Sequence, residues 1–236
     1  MIVREFEINK GEWLSDVIKE IPTNTILNKT MTGCGATTLE INAARHSIII
    51  EPNVPVIVGK KAQHSFLFAV YEGTSKEDVK AYLAGEHDGY RKIITTPEGF
   101  DKKVLPAMYE TDTPLFEDYF LLFDECEKAI QDVGYRGDIY LPVEDFFKFK
   151  NKAMVSATPI IPSDPRFAKQ SFEMLRIVPT YDYRQPLTVC ITNNTVRVLR
   201  ILLARFDKEN KKTCIFLIAV DRSWNINFAK RLASAC

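Results

Sequence analysis

Residues 28–38, NKTMTGCGATT, connect a strand-like run at residues 25–28 with a helix-like run at residues 37–45. A glycine-rich turn in this position predicts a phosphate-binding loop, because small residues allow consecutive backbone N–H groups to point at an anion. Gly33 and Gly35 provide that freedom. The alternative is a glycine turn that only joins a strand to a helix. We call residues 28–38 the glycine loop.

The glycine loop departs from the common pattern G-x-x-x-x-G-K-[ST] at its lysine. Thr37 occupies the hydroxyl position that contacts magnesium, but Ala36 stands where the lysine is expected. Lys29, at the start of the loop, is a candidate to bring an ammonium group to the phosphates from the strand side. A solvated lysine at a strand end is the alternative. The predicted nucleotide-binding set is Lys29, Thr32, Gly33, Cys34, Gly35, Ala36, Thr37 and Thr38.

Composition indicates an ordinary globular protein. The 236 residues are enough for one large α/β domain, or for one domain and part of another. Hydrophobic residues make up 46% of the chain and charged residues 26%, which allows a substantial core. The 31 basic and 31 acidic residues cancel, so net charge provides no general attraction to nucleic acid. A local basic groove remains compatible with that balance.

Cysteine and histidine usage predicts reduced thiols and no structural zinc. The five cysteines form no C-x-x-C pair and leave an odd number, and the three histidines form no metal-ligand spacing with them. The N-terminus carries charges where a signal peptide has an apolar core, and no apolar run reaches the ~18 residues of a membrane span. We therefore expect a cytoplasmic protein without a membrane partner.

Strand-like and helix-like runs alternate along the chain. After the glycine loop, strand-like runs lie at residues 47–51, 66–73, 92–95, 119–123 and 153–156. Almost wholly apolar strands, such as the first of these, are typical of parallel sheets that are covered by helices on both faces. We expect an α/β fold with a mainly parallel sheet, and a loop at residues 96–100. Pro179 and Pro186 predict edge positions, or a crossing between domains, for the β-rich runs 172–178 and 187–192.

An acidic pair, Asp124 and Glu125, follows the most hydrophobic of these strands. Ligands of open α/β sheets bind outside the carboxyl ends of the strands, so both carboxylates are expected to face the glycine loop. A nucleoside triphosphatase needs one carboxylate to hold magnesium and another to orient or deprotonate the attacking water. Asp124 suits the first role and Glu125 the second. The alternative is a helix N-terminus that favours acidic residues through its dipole.

The order of the motifs carries more information than any single motif. A proline follows the second strand, TTPE stands at residues 95–98, DECE at residues 124–127 and SAT at residues 156–158. This order resembles the superfamily 2 helicases of the DEAD/DEAH-box-like group. The resemblance implies a P-loop NTPase (RecA-like) first lobe with a degenerate Walker A motif at residues 1–185, and the beginning of an incomplete second RecA-like lobe at residues 186–236.

The same resemblance implies roles for individual residues. Thr37 and Asp124 correspond to the positions that hold Mg²⁺ beside ATP, and Asp124 and Glu125 to the catalytic positions. Ser156 and Thr158 correspond to the motif that couples hydrolysis to lobe movement. Each has a simpler alternative, such as ending a strand or capping a helix, which does not account for the joint order. The positions that correspond to nucleic-acid contacts are Pro52, Asn53, Thr96, Pro97 and Glu98.

Three departures limit the resemblance. Ala36 replaces the phosphate-binding lysine, Glu127 stands where the family usually has Asp or His, and no Q-x-x-R-x-x-R-like segment supplies the arginines of the second lobe. We therefore expect either a fragment or a degenerate relative that needs another protein subunit.

The leading hypothesis is a superfamily 2 helicase-like protein that binds ATP and Mg²⁺, acts on DNA or RNA, and has weak ATPase activity on its own. One alternative is a non-hydrolysing scaffold that binds nucleic acid or protein. A nucleotide kinase or another P-loop enzyme is a third, against which the D-E pair and the SAT motif argue.

Overall fold

A computed structural model describes residues 1–127, 143–159 and 164–183 of the protein. Its strands are β1 Val3–Ile8, β2 Thr25–Asn28, β3 His46–Ile50, β4 Phe68–Val70, β5 Lys92–Thr95, β6 Tyr119–Phe123, β7 Asn151–Ser156 and β8 Glu173–Pro179. Its helices are α1 Leu14–Val17, α2 Ala36–Asn42, α3 Val54–Gln63, α4 Lys76–Ala84, α5 Pro97–Gly99, α6 Leu105–Glu110, α7 Leu115–Asp118, α8 Val143–Lys148 and α9 Pro165–Lys169, with a π-helical turn at Phe100–Val104.

The described strands form one sheet in the order β1-β8-β2-β7-β6-β3-β5-β4. Every described pairing is parallel, so the carboxyl ends of all these strands lie along one edge. The predicted α/β class with a parallel sheet flanked by helices is confirmed.

The central strands are apolar because both of their faces are covered. All five residues of β6 are buried, and they divide between two core clusters. Leu121 and Phe123 lie in one cluster, whereas Phe120 and Leu122 lie in the other. This alternation follows the two-residue period of a strand, and it places one core on each face of the sheet.

The prediction that Pro179 marks an edge strand is wrong. The alternative, a crossing between domains, stays a prediction, and the first compact unit ends two residues after Pro179, at Tyr181. β8 lies between β1 and β2, inside the sheet, and Pro179 is its last residue, opposite Ile8. A proline at that position removes a donor from the end of the ladder only. The edge strand on this side of the sheet is β1, which the sequence analysis did not predict. Its residues Val3–Glu7 are exposed or half-buried, so the strand lacks an apolar pattern.

The loop expected at residues 96–100 is instead the start of a helix. Thr96 caps α5, because its hydroxyl accepts a hydrogen bond from the Gly99 N–H at 3.0 Å, and Pro97 occupies the first helical turn. Threonine before proline is a common way to begin a helix. The chain then continues through the π-helical turn into α6.

Several predictions fall outside the described residues. They include the β-rich run with Pro186, and the second lobe expected at residues 186–236. The described fold belongs to one compact unit, Met1–Tyr181. Within the described ranges, Cys34 and Cys126 are buried free thiols, and no helix is both long and apolar enough to cross a bilayer.

Candidate nucleotide site

The glycine loop leaves β2 through a tight turn and enters α2. Thr30, Gly33 and Gly35 have positive φ angles of 57°, 76° and 92°. The Asn28 side chain supports the turn, because its Oδ1 accepts a hydrogen bond from the Thr30 N–H at 3.0 Å. Gly35 caps α2 in the left-handed conformation, and its carbonyl accepts the Leu39 N–H at 2.8 Å. A residue with a side chain is strained there, so the glycine is needed for this path.

Helix α1 packs against the glycine loop. The Leu14 N–H donates to the carbonyl of Cys34 at 2.9 Å. The indole of Trp13 covers Gly35 so closely that a Cβ atom there would lie 3.2 Å from Trp13 Cε3. Trp13 itself is 58% exposed, and its ring forms part of the cavity wall described below. The loop is thus held from both its strand and its α1 side.

The acidic pair meets the glycine loop at the carboxyl edge of the sheet. Asp124 follows β6 and is buried, and its N–H donates to the carbonyl of Ile50 at 2.9 Å. The Thr37 hydroxyl donates to the Asp124 carboxylate in a short hydrogen bond. Glu125 has a positive φ of 48°. The prediction that Thr37 and Asp124 lie at one edge is confirmed.

Lys29 forms ion pairs with both carboxylates of the acidic pair. Its Nζ lies 2.6 Å from Glu125 Oε1 and 3.3 Å from Asp124 Oδ1, and the residue is only 6% exposed. Burial alone lowers the pKa of an ammonium, but Asp124 and Glu125 outweigh that effect, and the pKa of Lys29 is raised above its ordinary value. The alternative of a solvated lysine is therefore wrong.

Glu51 is a third carboxylate that the sequence analysis did not single out. It follows β3 and is buried, and its Oε1 accepts the Asn53 N–H at 2.9 Å and Asn53 Nδ2 at 2.7 Å. Burial and then the charge of Asp124 raise the pKa of Glu51 to about 7. Its signal in the sequence was an acidic residue that ends the apolar run SIII.

Lys60 of α3 is a second lysine at the site, and it was also missed. Its Nζ donates to Thr38 Oγ1 at 2.7 Å. The sequence carries no sign of this contact, since it depends on how α3 packs beside α2.

These groups line one cavity of about 740 Å³, which we call the loop cavity. Thr32 is exposed and does not line it, although the sequence analysis placed it in the binding set. The predicted residues that line it are Lys29, Gly33, Cys34, Gly35, Ala36, Thr37, Thr38, Asn53, Asp124 and Glu125. The further lining residues are Trp13, Ser15, Leu39, Asn42, Glu51, Val56, Lys60 and Gln63.

The residues predicted to contact nucleic acid or to couple the lobes lie at the same edge. Pro52 and Asn53 follow β3, and residues 96–98 follow β5. Ser156 ends β7 beside the loop, and its carbonyl accepts the N–H of Lys29 at 2.9 Å. The Thr158 N–H donates to Ser156 Oγ at 2.9 Å. The SAT segment is therefore hydrogen-bonded directly to the backbone of Lys29 in the glycine loop.

The fourth residue of the DECE segment lies inward. Glu127 is buried, and among the described residues its Oε2 has no hydrogen-bond partner. Its neighbour Cys126 is buried as well, and burial together with the charge of Glu127 raises the pKa of that thiol to about 12. Cys126 is therefore a protonated core residue and not a nucleophile.

Thr37 and Asp124 fit a magnesium ion that is bound together with a nucleotide. Both present hard oxygen atoms that already touch each other. Across the described ranges, no cluster of three His, Cys, Asp or Glu side chains has the geometry of a metal site. Mg²⁺ is usually held by one or two carboxylates and the phosphates of its substrate, and not by a cage of protein ligands alone.

Comparison with known proteins supports the fold. No family model and no curated protein matches the sequence. The crystal structure of the DUF1998 helicase MrfA superimposes with a TM-score of 0.52 at 16% sequence identity, over 89% of this chain and 35% of that one. The shared feature is the fold. This chain thus spans about a third of the length of that helicase.

Proposed function

We propose that this protein is a superfamily 2 helicase-like ATP-binding protein that acts on nucleic acid, with the loop cavity as its nucleotide site. The observation that carries the proposal is the convergence of Lys29, Thr37, Asp124 and Glu125 at the carboxyl edge of a parallel sheet. That edge is where α/β proteins bind nucleotides. The helicase fold of MrfA supports the same interpretation.

Each group has a place in the chemistry of phosphoryl transfer. Thr37 and Asp124 hold Mg²⁺, which supplies positive charge to the phosphate oxygens when it is bound. Glu125 orients the attacking water and accepts its proton. Lys29 keeps the acidic pair ionised and in place beside the phosphates. Ser156 and Thr158 transmit the state of the site through the backbone contact with Lys29.

The nucleic-acid contacts are proposed for the turns after β3 and β5. Pro52, Asn53 and residues 96–98 lie at the same sheet edge as the loop cavity. Asn53 belongs to both groups, because it lines the cavity and holds Glu51. In this proposal, a DNA or RNA backbone bound at these turns lies at the same sheet edge as the nucleotide.

Hydrolysis by this chain alone is expected to be weak. The methyl side chain of Ala36 cannot donate to the phosphates as the usual lysine does, and one lost charge-assisted hydrogen bond costs about 1.5–3 kcal/mol. The ion pair of Glu125 with Lys29 also occupies the carboxylate that must accept a proton. An arginine supplied from a second lobe or a partner protein contributes on the order of 10³-fold or more to such reactions. We propose that a protein subunit provides it.

ATP binding and hydrolysis, each measured with and without single- and double-stranded DNA and RNA, test the proposal. We expect Mg-ATP binding, and slow turnover that nucleic acid stimulates and Glu125→Gln abolishes. Wild-type protein that binds no Mg-ATP contradicts the proposal. Fast turnover without any partner contradicts the expected weakness.

A non-hydrolysing binding module is the second candidate. The 2.6 Å ion pair between Lys29 and Glu125 favours it, because a paired glutamate is a poor base. In the same experiment, this candidate predicts Mg-ATP binding without turnover under every nucleic-acid condition.

A further inference from the structure

We propose that Lys60 of α3 binds the terminal phosphates of the nucleotide, in place of the loop lysine that Ala36 replaces. The inference rests on the proposed function, since it concerns the ligand of the same cavity. It assigns the phosphate-binding charge to α3, the helix after β3, and not to the glycine loop.

The first argument is the balance of charge in the loop cavity. Lys29 is the lysine nearest to the loop in sequence, but its ammonium lies between Asp124 and Glu125. Two carboxylates neutralise that charge more than fully, so Lys29 offers little net attraction to a phosphate. A triphosphate needs another cation in reach.

The second argument is the state of Lys60. Its half-buried side chain lines the loop cavity, and its Nζ donates to the neutral hydroxyl of Thr38 at 2.7 Å. Among the residues that the structure describes, no carboxylate forms an ion pair with it. A phosphate oxygen binds an ammonium more strongly than a hydroxyl does, so a nucleotide can replace this contact at a net gain.

The third argument is position. Lys60 contacts Thr38, which is the residue after Thr37 in α2, and both Lys60 and Thr37 line the loop cavity, so the ammonium faces the same space as the hydroxyl that contacts Asp124. Val56 and Gln63 line the same cavity, four residues before and three residues after Lys60. That spacing places all three on one face of α3, which is the face toward the cavity.

The neighbouring residue provides a matched control. Lys61 lies on the same helix and outside the cavity lining, and its Nζ donates to the carbonyl of Ser65 at 2.8 Å. Lys60→Met and Lys61→Met therefore remove the same charge and the same stem from one helix. Only the first substitution removes a group from the cavity.

The experiment measures the dissociation constants of Mg-ATP and AMP by equilibrium dialysis for the wild type and both variants. For Lys60→Met we expect Mg-ATP affinity to fall about 10- to 100-fold, the range of one charge-assisted hydrogen bond, with AMP affinity unchanged. Lys61→Met is expected to bind both nucleotides as the wild type does. Lys60→Arg, which retains the charge, is expected to stay within a few-fold of the wild type.

The outcomes separate this inference from the proposed function. If the wild type binds Mg-ATP and Lys60→Met binds it equally well, Lys60 does not bind phosphate, and the proposed function is untouched. An equal loss for AMP and Mg-ATP also overturns the inference, because it indicates a general disturbance of the cavity. A wild type that binds no Mg-ATP overturns both.

Discussion

Single residues determine the electrostatics of the candidate site. Glu51, Asp124 and Glu125 bring three carboxylates to the carboxyl edge of the sheet, and Lys29 is the cation bonded to two of them. Burial raises the pKa of Glu51 most, and the negative charge of Asp124 raises it further. The site is therefore prepared for additional positive charge.

Removing the cation is expected to destabilise the fold. Lys29→Met leaves Asp124 and Glu125 without their ammonium, and breaking a buried ion pair from one side costs about 3–5 kcal/mol. Urea denaturation, monitored by circular dichroism, measures the loss in the free energy of unfolding. Lys61→Met, at the surface of α3, is the control and is expected to change it by less than about 0.5 kcal/mol. A Lys29→Met protein as stable as this control contradicts the ion pair.

The raised pKa of Glu51 predicts how stability depends on pH. The folded carboxyl binds its proton up to about pH 7, whereas the ordinary pKa is 4.5. Between those values the folded state holds more protons than the unfolded state, so this group lowers stability as pH rises through the window. Glu51→Gln removes the titration and retains an acceptor for Asn53.

The stability difference between Glu51→Gln and the wild type is therefore expected to grow from pH 5 to pH 7, by on the order of 1–3 kcal/mol, and then to level off. Urea denaturation across this pH range measures it. Parallel stability curves for the two proteins contradict the assignment.

The sequence predicted some of these residues and not others, for a physical reason. Thr37, Asp124 and Lys29 are adjacent to glycine or strand patterns that can be recognised along the chain. Glu51 ends an apolar strand as Asp124 does, but its approach to Asp124 depends on β3 lying beside β6, and the contact of Lys60 with Thr38 depends on where α3 lies relative to α2. Local patterns carry no information about that placement.

At the scale of elements, the segment after β5 shows how closely the helices are joined to the sheet. Gly99 lies where α5 meets the π-helical turn, and a Cβ atom there would lie 2.6 Å from Thr95 Oγ1 and 3.0 Å from the carbonyl of Val70. Only a glycine lets the helix approach β4 and β5 this closely. Residues 96–98, which we propose to contact nucleic acid, are held by the same packing.

Gly99→Ala is therefore expected to destabilise the protein by about 1–3 kcal/mol, the usual cost of forcing extra volume into a packed core. Gly59→Ala is the matched control. Gly59 lies inside α3, where an added Cβ meets nothing within 4 Å. Alanine is the better helix former, so this variant is expected to gain about 0.5–1 kcal/mol. Thermal unfolding of both variants measures the opposite signs, and equal shifts contradict the close approach at Gly99.

The bounds of elements were predictable where the pattern was strong. β2, β5 and β6 begin and end where the sequence predicts, because their apolar residues stop at turn-forming neighbours. β1 was not recognised, since Arg4, Glu5 and Glu7 face solvent at the sheet edge and conceal the strand pattern. Edge strands are often charged in this way, which prevents pairing with other chains.

At the scale of the whole molecule, the last described strand, β8, joins β1 to the rest of the sheet. β8 pairs with β1 on one side and with β2 on the other, and Leu175 and Ile177 are buried there. The glycine loop therefore depends on a strand that lies far along the chain.

A chain that ends at Tyr183 is expected to retain a cooperative fold, because residues up to Tyr181 form one compact unit. A chain that ends at Gln170 lacks β8, which leaves β1 without a partner and makes β2 an open edge. We expect it to aggregate or to unfold without a cooperative transition. Circular dichroism during urea denaturation distinguishes the two. Cooperative unfolding of the shorter chain, with unchanged midpoint, contradicts this dependence.

The position of β2 also has a consequence for folding during synthesis on the ribosome. Both strand partners of β2 come late, because Thr25 pairs with Ala153 and with Glu173. At translation rates of about 5–20 residues per second, β2 waits on the order of ten seconds for β7 to be made. During that time Ile26 and Leu27, which become fully buried, remain available to chaperones. The nascent chain acquires its glycine loop geometry, and with it any ability to bind nucleotide, only after β7 has emerged.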